Sequence, residues 1–387
     1  MHSTQLLSLK RRVGECIVDK NRVFLIVLDS FGIGNAPDAD MFDDTGSNTL
    51  QTLHQSGRLN IPNLKKLGLG HIDDVNIDSH ANPIGQYGRL VEYSVSKDTT
   101  TGHWEMMGII SNKKWPTFPH GFDKEFIDGL KKITDRPILC NKPYSGTEVL
   151  KDYGQEAVDK QGIILYTSAD SVVQIAAHTD VVRYNELIDI CKKTRELSNK
   201  YGIGRVIARP FNGRAPYFER DNARRKDFAM NPPFNYLNEL YNKNKNVVAI
   251  GKIGDIFNMS GITRAIHTDN NGQGMAVTEL MLNEDFDLCF TNLVDFDMLY
   301  GHRRDTYGYV QAMNEFDKWL GNFITKLKDN DTLIITADHG CDPAYKGSDH
   351  TRECTPVLIY HKNILPHNLG TMVGFDNIMK YCKSFLD

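Results

Sequence analysis

The chain has 387 residues, of which 40% are hydrophobic and 24% charged, with a formal net charge of −4. This is an ordinary globular composition, long enough for one large domain or two, and it excludes a disordered or low-complexity chain. The slightly acidic balance gives no global basic face, so nucleic acid is not an expected partner, and no run approaches the roughly 18 apolar residues of a membrane span.

The opening stretch MHSTQLLSLKRRVGECIVDKN lacks the apolar region and small-residue cleavage pattern of a secretory leader, and residues 1–21 are expected to form an N-terminal extension. Seven cysteines, at 16, 140, 191, 289, 341, 354 and 382, are scattered and include no C-x-x-C. Neither a disulfide framework nor a cysteine zinc site is expected from them, and a reducing, cytoplasmic location fits best.

From residue 22 onward, short apolar runs predict buried strands. In chain order they are VFLIVL (23–28), GIILYTS (162–168), RVIARP (205–210), NVVAIG (246–251), DLCFTNLV (287–294), TLIITA (332–337) and TPVLIY (355–360). Between them, Glu186–Lys200 gathers Leu187, Ile190, Cys191 and Leu197 near one helical face, and Tyr309–Lys328 does likewise with Met313, Phe316, Leu320, Ile324 and Leu327. Strands alternating with helices predict an α/β protein whose mostly parallel sheet is flanked by helices.

Three of the runs end in an acid: Asp29 after VFLIVL, Asp297 after FTNLVDF, and Asp338 after TLIITA. Ligands of open α/β sheets sit outside the carboxyl ends of the strands. If these acids share a site, both ends of the chain belong to one sheet. A core of residues 22–112 and 230–387 would then be interrupted by an inserted α/β cap, residues 113–229. The chain would leave near WPTFPHGF (115–122) and return before NPPFNYLNELY (231–241).

Histidines accompany the acids. Asp29, Asp297, His302, Asp338, His339 and His350 form a mixed oxygen and nitrogen set, and six such ligands suit two divalent cations rather than one. Two cations roughly 3.5–4 Å apart clamp the attacking and leaving oxygens of an in-line phosphoryl displacement. The set contains no thiolate, which favours Mn2+, with Mg2+ or Zn2+ as alternatives. Taken singly, each residue reads equally well as a strand-end acid or a surface histidine.

Phosphoryl transfer also needs an oxygen nucleophile. KDTTTGHWEMMG (97–108) offers Thr99, Thr100 and Thr101 just before a helix-compatible run, where a hydroxyl near a metal is activated and free backbone N–H groups meet a phosphate. The same triplet also reads as a helix N-cap. Two further motifs are set aside. GIGNAP lacks the third glycine of a dinucleotide loop, and CDPAY (341–345) has Tyr345 where the sulfatase motif needs arginine.

IVLDSFGIGNAPDA, KDTTTGHWEMMG, YTSADSVVQIAAH, GRVIARPFNG, NLVDFDMLYGHRRD and ITADHGCDP with GSDHTRE resemble, in order, the phosphopentomutase family of the alkaline phosphatase superfamily. The resemblance runs from about Arg22 to the C-terminus. It implies an alkaline-phosphatase-like core with an inserted cap. It also implies one cation on Asp297, His302 and His350, the other on Asp29, Asp338 and His339, and Thr99 as the residue that carries the phosphoryl group.

The implied reaction interconverts the 1- and 5-phosphates of ribose and 2-deoxyribose, in nucleoside salvage and pentose catabolism. It passes through a phosphothreonine enzyme and a 1,5-bisphosphate, with glucose 1,6-bisphosphate or ribose 1,5-bisphosphate as priming activator. The resemblance places Arg205, Arg220 and Lys252 at the sugar phosphate and Ser168 and Asp170 near the ribose. From Arg205 to Asp227 the chain carries seven Arg or Lys and three acids, a supply of cations for the non-reacting phosphate. A phosphatase on the same chassis, or a metal-stabilised binding protein, would need the same ligands. The cap and its basic cluster favour the mutase.

Overall fold

The computed structural model describes residues 20–168 and 171–387. Nearly all of the expected N-terminal extension, and Asp170, lie outside the described residues. In chain order the strands are β1 (Arg22–Leu28), β2 (Gln86–Val91), β3 (Ile138–Pro143), β4 (Ile163–Thr167), β5 (Val172–His178), β6 (Arg205–Arg214) and β7 (Tyr217–Arg220). They continue with β8 (Lys226–Ala229), β9 (Val247–Ile250), β10 (Arg264–Ile266), β11 (Leu288–Leu293), β12 (Asp331–Thr336), β13 (Thr355–His361) and β14 (His367–Val373).

Eight strands form one sheet in the order β10-β9-β11-β1-β12-β13-β2-β14. Its neighbours are parallel except that β13 runs against both β12 and β2. The remaining strands form a second sheet, β3-β4-β5-β6-β7, with β8 paired to β6. This second sheet lies in the chain between β2 and β9, so the strands before and after it complete the first. The protein is therefore a mixed α/β fold with a mostly parallel main sheet. No helix among the described residues is long and apolar enough to cross a membrane.

Every residue of β1 is buried, which is why it reads as one unbroken apolar run: helices cover both faces of this sheet. Alternate side chains serve the two faces. Phe24, Ile26 and Leu28 pack with Met313, Phe316 and Leu320 of the helix Thr306–Ile324. Val23, Leu25 and Val27 pack with Trp104, Met106, Phe375 and Ile378 on the other face. The second sheet has separate cores, one around Phe126, Leu165, Ile175 and Cys191, the other around Leu150, Tyr166 and Phe211.

Each predicted strand is present within a few residues, and Glu186–Lys200 appears as Tyr184–Asn199. The helix expected over Tyr309–Lys328 instead runs Thr306–Ile324, because Asp305 caps it early by accepting the Gly308 N–H at 2.9 Å. Strands β2 (QYGRLV) and β14 (HNLGTMV) escaped the sequence reading, since their glycines and polar residues break any apolar run.

A buried ion pair fastens the amino end of β1 to β12. Arg22 donates to both carboxylate oxygens of Asp331, at 2.7 and 2.8 Å, and to the carbonyls of Met281, Leu282 and Glu284. Truncating one partner of such a pair strands the other charge in the interior. Arg22→Leu is therefore expected to lose about 3–5 kcal/mol of stability. Thermal unfolding reads this directly, and a variant that melts with the parent would refute it.

Candidate metal centre

The register of the main sheet sets β1, β11 and β12 side by side with their carboxyl ends level, pairing Leu28 with Leu293 and Val27 with Thr336. Asp29, Asp297 and Asp338 follow those ends. Just past β1, Ser30 takes a left-handed backbone with φ of 72°, a turn uncommon for a residue with a side chain. It turns the Ser30 N–H onto Asp338 Oδ1 at 3.0 Å, and the Ser30 hydroxyl meets Tyr309 at 3.1 Å. After β11 the chain makes a π-helical turn, Phe296–Gly301, closed by the His302 N–H donating to the Asp297 carbonyl. That i-to-i+5 bond brings Asp297 and His302 to the same side, with His302 Nε2 3.3 Å from Asp297 Oδ2.

All six sequence-predicted ligands converge here. Asp29, Asp338 and His339 have donor atoms mutually within 4.8 Å, the grouping expected from the resemblance. The other expected triple is divided differently. Asp297 shares one group with His339 and His350 and another with His302 and Cys341, while the His302 and His350 rings lie 4.6 Å apart. His339 thus stands between the two halves, its ring 3.9 Å from that of His350. Asp349, beside His350, accepts the His350 backbone N–H at 2.9 Å and faces Lys97 at 3.6 Å.

The donor atoms meet the requirement for cations. Asp29 Oδ1, Asp338 Oδ2, Asp297 Oδ1 and His350 Nε2 are buried without a hydrogen-bond partner among the described residues. They face one another across short gaps: His339 Nε2 is 3.2 Å from Asp338 Oδ2 and 3.6 Å from Asp29 Oδ1, and His350 Nε2 is 3.4 Å from Asp297 Oδ1. Buried carboxylate lone pairs without donors are costly, and divalent cations satisfy them.

Electrostatics report the same crowding. Burial, then Asp338 and Asp297, push the Asp29 carboxyl up to about 7. Burial also works against charge on Asp297, but His350, His339 and His302 outweigh it and hold that carboxyl at about 2. Asp338 is likewise buried, yet His339 and His103 keep it well below the usual carboxylate range. His339 is raised far above an ordinary imidazole because Asp338, Asp29 and Asp297 outweigh its burial.

The helix Thr99–Met106 points its amino end at this cluster. Its cap is Asp98, which accepts from the Thr101 N–H at 3.1 Å and the Thr101 hydroxyl at 2.7 Å. Thr101 is fully buried and also accepts from Trp115 Nε1 at 3.0 Å. Thr99 Oγ1 instead lies 3.2 Å from His339 Nε2 and so faces the cluster. Gly102 permits the approach, since a Cβ there would lie 2.2 Å from the Asp338 carbonyl.

Sequence reading missed the residues that hold this arrangement. His103 Nδ1 lies 2.8 Å from the Thr99 carbonyl and 3.2 Å from Asp338 Oδ2. Asn292 Nδ2 reaches His103 Nε2 at 3.2 Å and donates to Asp29 Oδ2 at 2.8 Å. Buried Glu105 accepts the N–H groups of Tyr93, Ser94 and Phe375, tying the helix to the ends of the sheet. The histidine after glycine was the one visible trace of this network. Cys341, which lies outside the sequence-predicted ligand set, sits beside His302 and Asp297.

The expected substrate residues are more dispersed. Lys252 follows β9 and its charge lowers the pKa of Asp29, placing it at the centre's edge. Ser168 follows β4 and Arg205 opens β6, at the same end of the second sheet. Arg220 pairs with Phe211, six positions further along β6, and its Nε donates to the Gly146 carbonyl at 2.9 Å. Asp170 lies outside the described residues.

A family model described as the metalloenzyme superfamily matches residues 21–381. The chain is 50% identical over 363 residues to a protein named phosphopentomutase from Lachnoclostridium phytofermentans, covering 92% of this chain and 93% of that one. It is 48% identical over 361 residues to one of the same name from Clostridium novyi, with 92% of each covered. Among solved structures, the PH0037 protein of Pyrococcus horikoshii shares the fold at a TM-score of 0.51 and 14% identity, over 95% of this chain and 97% of that one. The chain belongs to the metalloenzyme superfamily and, within it, to the phosphopentomutase family.

Because the pKa of Asp29 is raised in the fold, its charge opposes folding more strongly as pH rises from the ordinary carboxylate range through about 7. Metal-free Asp29→Asn should accordingly unfold at a higher temperature than the metal-free parent at pH 8. The parent should gain about 4 kcal/mol from Mn2+ at roughly a thousand times its Kd. The variant should gain much less. Calorimetric scans with and without chelator decide this, and equal Mn2+ stabilisation of both proteins would refute it.

Proposed function

We propose that this member of the phosphopentomutase family interconverts ribose 1-phosphate and ribose 5-phosphate, and the corresponding 2-deoxyribose phosphates. The observation that carries the reading is the Thr99 hydroxyl 3.2 Å from His339 Nε2, at a helix N-terminus facing four unpartnered ligand atoms. In this reading Asp297, His302 and His350 hold one divalent cation and Asp29, Asp338 and His339 the other, with Mn2+ the expected ion. When bound, such cations lower the pKa of a hydroxyl and neutralise charge on a phosphoryl group in flight.

The protein's own groups supply the rest. Thr99 carries the phosphoryl group between the two sugar oxygens, giving it up to form a 1,5-bisphosphate and taking the other phosphate back. The amino end of the helix Thr99–Met106 offers backbone N–H groups and a partial positive charge to the phosphate on Thr99. His103 fixes that residue through its carbonyl, and Asn292 holds the His103 ring and the Asp29 carboxylate together.

Residues 113–229, which contain the second sheet, act as a cap. Arg205, Arg220 and Lys252 bind the non-reacting phosphate, and Ser168 and Asp170 orient the ribose. A mutase needs such a cover, because the sugar bisphosphate must turn around without losing phosphate to water. Arg209 and Arg225 are further cations of the cap, with Arg225 paired to Asp227. Glucose 1,6-bisphosphate or ribose 1,5-bisphosphate would prime the threonine. The reaction belongs to nucleoside salvage and pentose catabolism, carried out in the cytoplasm.

The test is to incubate the protein with Mn2+, ribose 5-phosphate and a trace of glucose 1,6-bisphosphate, then separate the products. Ribose 1-phosphate with little free phosphate is expected. Free phosphate and ribose would mean that water intercepts the phosphoenzyme and that the protein is a phosphatase. Thr99→Ala should lose on the order of a thousandfold or more in kcat, as removal of a covalent nucleophile does. Thr99→Ser should retain measurable turnover. Equal activity of Thr99→Ala and the parent would exclude Thr99 as the carrier.

A further inference from the structure

The chain crosses between the two sheets twice, near Trp115 on the way out and near Met230 on the way back. Both crossings meet at Gly204. The Met230 N–H donates to the Gly204 carbonyl at 2.8 Å. A Cβ on Gly204 would lie 3.5 Å from Cε3 and Cζ3 of Trp115, so one edge of the indole lies over that residue. The Gly204 N–H donates to Ser171 Oγ at 3.3 Å, and the next residue, Arg205, opens β6 of the cap.

The rest of the indole belongs to the core. Trp115 Nε1 donates to Thr101 Oγ1 at 3.0 Å, and its ring meets that of Trp104 edge-on, with centroids 5.6 Å apart. Trp115 and Met230 both pack against the core cluster that contains Trp104. The Thr101 hydroxyl has one hydrogen and gives it to Asp98 Oδ2 at 2.7 Å, so the indole N–H takes a lone pair that is left. The bonds therefore run in one direction, from Trp115 through Thr101 to the carboxylate that caps the helix one residue before Thr99. Bonds in such a chain polarise and strengthen one another.

We propose that Trp115 is a positioning residue for Thr99, fixing the amino end of the nucleophile helix against the joint between core and cap. The role rests on the mutase reading, in which Thr99 carries the phosphoryl group and the cap holds the sugar phosphate. Thr99 must then keep one distance from a substrate held by another part of the chain, and Trp115 touches both parts. A displacement of about 1 Å costs such chemistry heavily. Trp104 cannot take over, because its own Nε1 is committed to the Ile256 carbonyl at 3.0 Å.

The test is a double-mutant cycle on the full-length, Mn2+-loaded protein. Trp115→Phe keeps a ring over Gly204 and removes the N–H, while Thr101→Val removes its acceptor. Trp115→Phe should lower kcat about fivefold, the worth of one neutral hydrogen bond. Its KM for ribose 5-phosphate and its Mn2+ affinity should match the parent's. The double variant should turn over no more slowly than Thr101→Val alone, since both changes break the same chain of bonds. In hydrogen exchange without substrate, the Thr101 amide should exchange faster in Trp115→Phe than in the parent, with the Leu25 amide of β1 unchanged.

Losses in kcat that multiply in the double variant, or a Thr101 amide that exchanges at the parent's rate in Trp115→Phe, would overturn the proposal. Should Thr101→Val fold poorly, the exchange of the Thr101 amide in Trp115→Phe decides alone. A parent that releases only free phosphate, with the cycle still non-additive, would sink the mutase reading and leave Trp115 in its role.

Discussion

Three carboxylates buried at the carboxyl ends of neighbouring parallel strands are the constraint on which the rest of this protein depends. Asp29, Asp297 and Asp338 each keep one oxygen without a hydrogen-bond partner among the described residues. No interior tolerates that much unpaired negative charge unless positive charge is supplied. Part comes from His302, His339 and His350, and divalent cations would supply the remainder. The twofold demand also explains the opposite shifts of neighbouring acids, Asp29 upward and Asp297 and Asp338 downward. The acids compete for too few positive charges, and Asp29 has the least help.

A cluster under such tension must be held by rigid elements, and the structure supplies them from below and from one side. Below, the buried Arg22–Asp331 pair and the fully apolar β1 lock the level of the strand ends. From the side comes the helix Thr99–Met106, pinned by Asp98 at its amino end and by Glu105 beside its last residue. His103 and Asn292 then join this helix to Asp29 and Asp338 through direct contacts. A misplacement of about 1 Å costs such chemistry heavily, since phosphoryl transfer depends on positioning and electrostatics more than on covalent chemistry by the protein.

The same donor set accepts more than one divalent cation. Histidine and carboxylate donors bind zinc-class ions as readily as manganese, so selection among divalent cations rests on ligand type and availability. At one edge of the centre, Gly301 and the π-helical turn pack closely against Cys341.

Much of this was legible in the residues alone. Strands buried on both faces must be apolar throughout, so β1, β11 and β12 announce themselves, and an acid directly after each marks the ligand end of a parallel sheet. Asp338-His339 stood out for the same reason, titratable groups at the end of a buried strand, and His350 follows one loop later. The motifs also carried the family.

Strands β2 and β14, the latter at the sheet's edge, were hidden because their glycines and polar residues leave no apolar run. Which threonine faces the ligands was not in the triplet either. It depends on Asp98 claiming Thr101 and on His339, 240 residues away, meeting Thr99. The sharing of His339 between two ligand groups, the Asn292–His103 link and the placement of Cys341 are likewise tertiary facts. Local sequence encodes burial and period, but contacts between side chains distant in the chain exist only once the sheet has fixed its register.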